Sequence, residues 1–151
     1  MGGGGIYVLQ LSARRRQIEQ TLRLIRYLRR EIRCSAAPLH RILSSESCPC
    51  DLVLMQRFCW EEPFDLTGNY RNSKENSQKE TFFSSEEWRA MDDLFFNLGQ
   101  GDSDEQERLL SQAESVFSQA EITVKEMLMK NGKSALVLGG CAGAVLVLLL
   151  L

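Results

Sequence analysis

The sequence predicts an all-α protein: a helical bundle followed by a C-terminal transmembrane helix. Three observations carry this. Apolar residues recur at helical spacing in two long segments, Ile18 to Ile32 and Leu109 to Met127. Only three prolines interrupt the chain. The stretch from Ala135 to Leu151 holds no charged side chain.

The opening "MGGGGIYVLQL", residues 1–11, is too short and too mixed for a signal sequence or a span. Basic N-terminal helices are expected over residues 12–60. In "ARRRQIEQTLRLIRYLRREIR" the residues Ile18, Leu22, Ile25, Leu28 and Ile32 share one face, and arginines fill the other. Pro38 breaks the chain, and Leu39, Ile42 and Leu43 give a short second helix. "SSESCPC" reads as a turn, and "DLVLMQRFCW" as a third, mostly buried helix. Residues 61–83, with "TGNYRNSKENSQKE" at their centre, read as a long polar loop.

A helical hairpin is expected over residues 84–134. Ser84 and Glu87 have the spacing of a capping box, in which the hydroxyl takes one orphan N–H and the carboxylate reaches back for another. Trp88, Met91, Phe95 and Leu98 continue at helical steps. Gly99 is a natural residue to end that helix in a left-handed turn, and Asp102 or Ser103 caps the next. Its stripe is read as Leu109, Ala113, Val116, Ala120, Val124 and Met127. "LGQGD" is then the corner of an αα-hairpin.

The apolar tail, 135–151, would span roughly 26 Å as a helix, near the lower limit for a bilayer. Lys125, Lys130 and Lys133 precede it, which places the bundle on the cytoplasmic side. Ala135, Gly139 and Gly143 repeat every fourth residue, a pattern that lets another helix approach closely within lipid.

Net charge is −2, but it is unevenly spread. Nine arginines lie between Leu11 and Ser45 against Glu19 and Glu31. Ten acids lie between Ser84 and Glu121 against Arg89 and Arg108. The two halves should attract each other or different partners. The arginine face suits anionic lipid headgroups or an acidic protein surface, and equally suits pairing with the acidic half. With Tyr27 the lone aromatic on it, base stacking is not indicated and no nucleic-acid partner is expected.

Chemistry-bearing motifs are sparse. The five cysteines, Cys34, Cys48, Cys50, Cys59 and Cys141, are odd in number and read as free thiols in a reducing compartment. Cys48, Cys50 and Cys59 with His40 lack common zinc spacing, so a metal or thiol protein is a lesser alternative. His40 reads as a surface residue without a nucleophile to serve. "GKS" at Gly132 to Ser134 lacks the glycine that opens a P-loop. No catalytic residue, cofactor or metal site is expected, and the chain reads as non-enzymatic.

Several of these pieces together resemble the stage III sporulation protein AB family. They are Glu31-Ile32, the Pro38-Leu39 step, the corner formed by Leu98, Gly99, Asp102, Gln106 and Leu110, and the apolar tail. The resemblance implies a cytoplasmic bundle similar to the type II secretion F-protein domain, and makes the first residues the remnant of a membrane span. It implies a component of the channel assembly between mother cell and forespore, held in the mother cell membrane that faces the forespore. Its implied partners are a secretion-type ATPase, stage III sporulation protein AA, other channel components and membrane lipid, with a homo-oligomer open. In that reading Asp102 and Gln106 orient the hairpin. The alternative class is a generic tail-anchored helical adaptor.

Overall fold

The computed structural model describes residues 2–34, 37–61 and 63–150, with side chains within Val8 to Lys130. Six helices follow one another: α1 (Gly2–Cys34), α2 (Leu39–Ser44), α3 (Val53–Gln56), α4 (Leu66–Ser77), α5 (Ser85–Asn97) and α6 (Ser103–Leu150). Among the described residues there is no strand.

The long α1 and α6 make the largest contact and run antiparallel, with α5 folded back on α6. Arg26 and Arg29 of α1 reach Glu114 of α6, and Arg33 reaches Glu107 (3.3, 2.7 and 2.8 Å). Residue numbers on the two helices therefore rise in opposite senses. The core is the α1 face expected from its spacing, with Ile18, Leu22, Ile25 and Leu28 fully buried. Leu24 and Tyr27 widen that face, because α2 packs on its flank and the Tyr27 hydroxyl donates to the Ile42 carbonyl at 2.8 Å. Opposite them lie Met91, Leu94 and Phe95 of α5, and Leu110, Ala113, Phe117 and Val124 of α6.

Several expectations are corrected. Residues 61–83 do not form a loop throughout: α4 occupies their middle. Its inner face is Tyr70, Ser73 and Ser77, at steps of three and four. Tyr70 stacks on Phe95 at 4.7 Å and its hydroxyl donates to Asp92 at 2.6 Å, while Lys74 holds the same carboxylate at 2.9 Å. The Ser73 hydroxyl donates to the Leu54 carbonyl, and Ser77 to the Ser73 carbonyl at 2.7 Å. Small hydroxyl side chains let α4 lie close against α3 and satisfy their own polarity locally. Tertiary packing thus overrides a weak local preference.

The third helix is only one turn long, Val53–Gln56. Beyond it the chain turns, so that Phe58 meets the Phe95 ring edge-on at 6.0 Å. Residues 1–11 are not a separate segment, since α1 begins at Gly2 and runs unbroken to Cys34. Nor is there a break between 134 and 135, because α6 is one helix of 48 residues. Its buried stripe runs through Phe117 rather than Val116, while Met127 is exposed.

Among the described residues no helix is long and apolar enough to cross a membrane. The spanning segment expected at 135–151, and its packing residues Ala135, Gly139 and Gly143, lie outside the residues whose side chains are described.

Candidate functional site: the hairpin corner and its seam with α1

The corner is built by chain geometry. α5 ends at Asn97 and is capped by Leu98, which is buried and whose N–H donates to the Leu94 carbonyl at 2.8 Å. Gly99 follows at φ +86°, a left-handed conformation that glycine enters without a Cβ clash. Gly101 adopts φ +94°, so the turn uses two such residues. Asp102 then caps α6: its Oδ1 accepts the Glu105 N–H at 2.8 Å, and its carbonyl accepts the Gln106 N–H at 3.1 Å. Ser103 is therefore the first helical residue, and the cap is Asp102. Leu110 lies two turns further on, fully buried.

The corner packs against the α1–α2 junction. A Cβ on Gly99 would lie 3.3 Å from Leu39 Cδ2. A shallow cavity of about 300 Å³ opens between them, lined by Ile32, Leu39, Ile42, Gly99, Ser103 and Gln106. Pro38 stands just before α2, and its carbonyl accepts the Arg41 and Ile42 N–H groups at 2.9 and 3.2 Å. Of the motif residues, Ile32, Leu39, Gly99 and Gln106 meet at this cavity, and Leu98 and Leu110 belong to the core. Glu31 stands apart from it, beside Arg30 at 3.5 Å.

Next to the cavity runs the charged seam between α1 and α6. Arg29 donates to Glu107 at 2.6 Å and to Glu114 at 2.7 Å. Hydrogen bonds from Arg29 hold the Glu107 carboxyl below the usual carboxylate range, and Arg33 adds to this. The Arg29 guanidinium is raised in turn by its bonds to Glu107 and Glu114. The attraction between basic and acidic halves is thus expressed within one chain.

A second polar latch was not signalled by any motif. Gln17 is buried on α1; its Nε2 donates to the Glu80 carbonyl and its Oε1 accepts the Phe82 N–H, both at 2.7 Å. Arg14 donates to the Phe82 carbonyl at 2.7 Å and grips Glu87 with two bonds, at 2.5 and 3.0 Å. Ser84 caps α5 by accepting the Glu87 N–H at 3.3 Å. The reciprocal half of the box differs from expectation: the Glu87 carboxylate receives the Ser84 hydroxyl and Arg14 rather than the Ser84 N–H. A long-range cation outcompetes a local amide for that carboxylate.

Among the described residues the cysteines do not assemble into a metal centre. Cys48 is buried, Cys50 half-buried, and Cys34 and Cys59 exposed. Among the described residues no three His, Cys, Asp or Glu side chains are grouped to hold a metal ion. Burial pushes the Cys48 thiol up to about 12, and neighbouring Cys50 adds to this. His40 is not a surface residue: it is half-buried, its ring centroid lies 4.7 Å from that of Phe64, and its Nε2 lies 3.3 Å from the Trp60 carbonyl oxygen.

Among the described residues, fold and seam together define an all-helical module in which a set of arginines and acids joins α1 to α5 and α6. A family model described as stage III sporulation protein AB matches residues 1–151, and the chain belongs to that family. No curated protein and no solved structure matches it.

Proposed function

We propose that this chain is a non-enzymatic, membrane-anchored component of the channel assembly between mother cell and forespore, and that it docks a secretion-type ATPase. The observation that carries this reading is the family match over residues 1–151. The charge-free run 135–151, which continues α6, supports anchoring in the mother cell membrane with the bundle on the cytoplasmic side. Likeness to the type II secretion F-protein domain belongs to the same proposal, as does stage III sporulation protein AA as the ATPase. Arginines 16, 23 and 30 project outward from α1 and offer a basic docking face.

The test is a pull-down from the membrane fraction of sporulating cells with the full-length chain as bait. The ATPase should co-purify with the unaltered chain. Combined Arg16→Glu, Arg23→Glu and Arg30→Glu should reduce its recovery while helicity is retained. Absence of the ATPase from the unaltered pull-down would remove the docking partner, and full recovery with the triple variant would remove the basic face.

A further inference from the structure

The exposed large apolar side chains are concentrated toward one end of the bundle. Leu9 is 71% exposed and Met129 63%, with Val8 and Met127 less so. Scattered single apolar residues on a surface are ordinary, but these share a level. The α1–α6 ion pairs set the register: Arg33 meets Glu107 and Arg26 meets Glu114. With the two Arg29 pairs, the summed residue numbers run from 136 to 143, which places Val8 and Leu9 level with α6 between about residues 127 and 135. Met127 and Met129 are within about two turns of the same level.

We propose that Val8, Leu9, Met127 and Met129 form an apolar collar seated in the headgroup layer of a lipid bilayer, with Lys130 among anionic headgroups. The proposal rests on the membrane-anchor reading above and adds where the bundle stops. Position along α6 identifies lipid as the occupant. The charge-free run begins at Ala135, six residues beyond Met129, or about 9 Å along a helix. An amphipathic surface settles about 5–10 Å into the headgroup boundary, so Met129 falls in that layer and Met127, about 12 Å from Ala135, at its aqueous edge. Ile122, 52% exposed, lies thirteen residues before Ala135, about 20 Å away, and stays in water. Lys130 is exposed at the collar, where it meets anionic headgroups favourably. The bundle thus rests on the membrane surface rather than hanging from a free stalk.

The test uses the full chain in lipid nanodiscs containing phosphatidylglycerol, with single tryptophans introduced by Leu9→Trp, Met129→Trp, Ile122→Trp and Ala144→Trp. Quenching beyond that of the unaltered chain is read with lipids brominated near the headgroup or near the chain end. Leu9 and Met129 are open enough to accept an indole, and circular dichroism verifies the fold. Val8→Trp and Met127→Trp stand in if either variant loses helicity. Fluorescence should be lost with headgroup-side bromine at positions 9 and 129, with deep bromine at 144, and with neither at 122. If 144 is quenched by lipid while 9 and 129 respond only to aqueous iodide, the collar is overturned and the anchor stands. If 9 and 129 are shielded from both quenchers, a protein surface covers them and the collar is again overturned. If 144 is not quenched by lipid, the anchor reading falls and the collar with it.

Discussion

At Gly99 the backbone holds φ +86°, with Leu39 Cδ2 waiting 3.3 Å from any added Cβ. Gly99→Val should therefore combine a backbone strain of about 1–3 kcal/mol with pressure on the α2 contact. The melting temperature of the protein should fall by several degrees, and an unchanged value would dismiss the turn's role. Cys48 offers a second residue-level expectation. A buried thiol raised to about 12 holds almost no thiolate near neutrality. Iodoacetamide at pH 8 should label exposed Cys34 and Cys59 well before Cys48, with Cys48 reacting at comparable rate only after unfolding; peptide mass spectrometry reads the order. Gln17 shows how a single amide can act where no motif announces it. Buried glutamine is unusual, and here both ends of its amide are used on the backbone of the segment before α5.

At the scale of elements, the Arg14–Glu87 pair joins α1 to the first turn of α5 with side chains only 22% and 5% exposed. Removing one partner leaves the other partly desolvated, so Arg14→Ala should cost about 2 kcal/mol in urea unfolding. The double variant Arg14→Met with Glu87→Gln should recover a good part of that loss, and a purely additive result would show that the pair is not coupled. The elements most readable from sequence were those with apolar periodicity or capping chemistry: the α1 stripe, the α5 cap at Ser84, and the Gly99–Asp102 corner. All three depend on short-range chemistry. The α4 helix was hidden because serines at 73 and 77 do the packing that apolar residues usually do, and only Tyr70 marks its inner face. On α6, Val116 and Phe117 both lie near the plausible stripe, and the partner face of α1 and α5 decides between them in favour of Phe117. The corner of the candidate site was thus legible, while its neighbour Leu39, the Arg29 seam and the Gln17 latch depend on distances along the chain that spacing does not encode.

For the whole molecule, the unequal spread of charge makes stability depend on pH. Glu107 is held below its usual value near 4.5 in the folded state by Arg29. A depressed carboxyl contributes stability that is present above the unfolded value and is lost as pH falls through the folded one. Thermal melts should therefore lose stability below about pH 4.5, with the loss extending to lower pH. Glu107→Gln should be less stable than the parent at pH 6 and converge with it in acid; parallel curves would mean that the seam does not report on folding. At a net charge of −2 the chain still carries strong opposite local fields, and the seam cancels part of them by pairing Arg29 and Arg33 with Glu107 and Glu114.

One consequence follows from α6 being a single uninterrupted rod of 48 residues, which at about 1.5 Å per residue measures roughly 70 Å. It has no proline at which to bend. Because the same rod supplies a wall of the bundle and its far extension, rotating or tilting one portion turns the other by the same angle. Mechanical work done on the bundle portion of the rod would then be delivered to the opposite extremity as a shaft delivers torque.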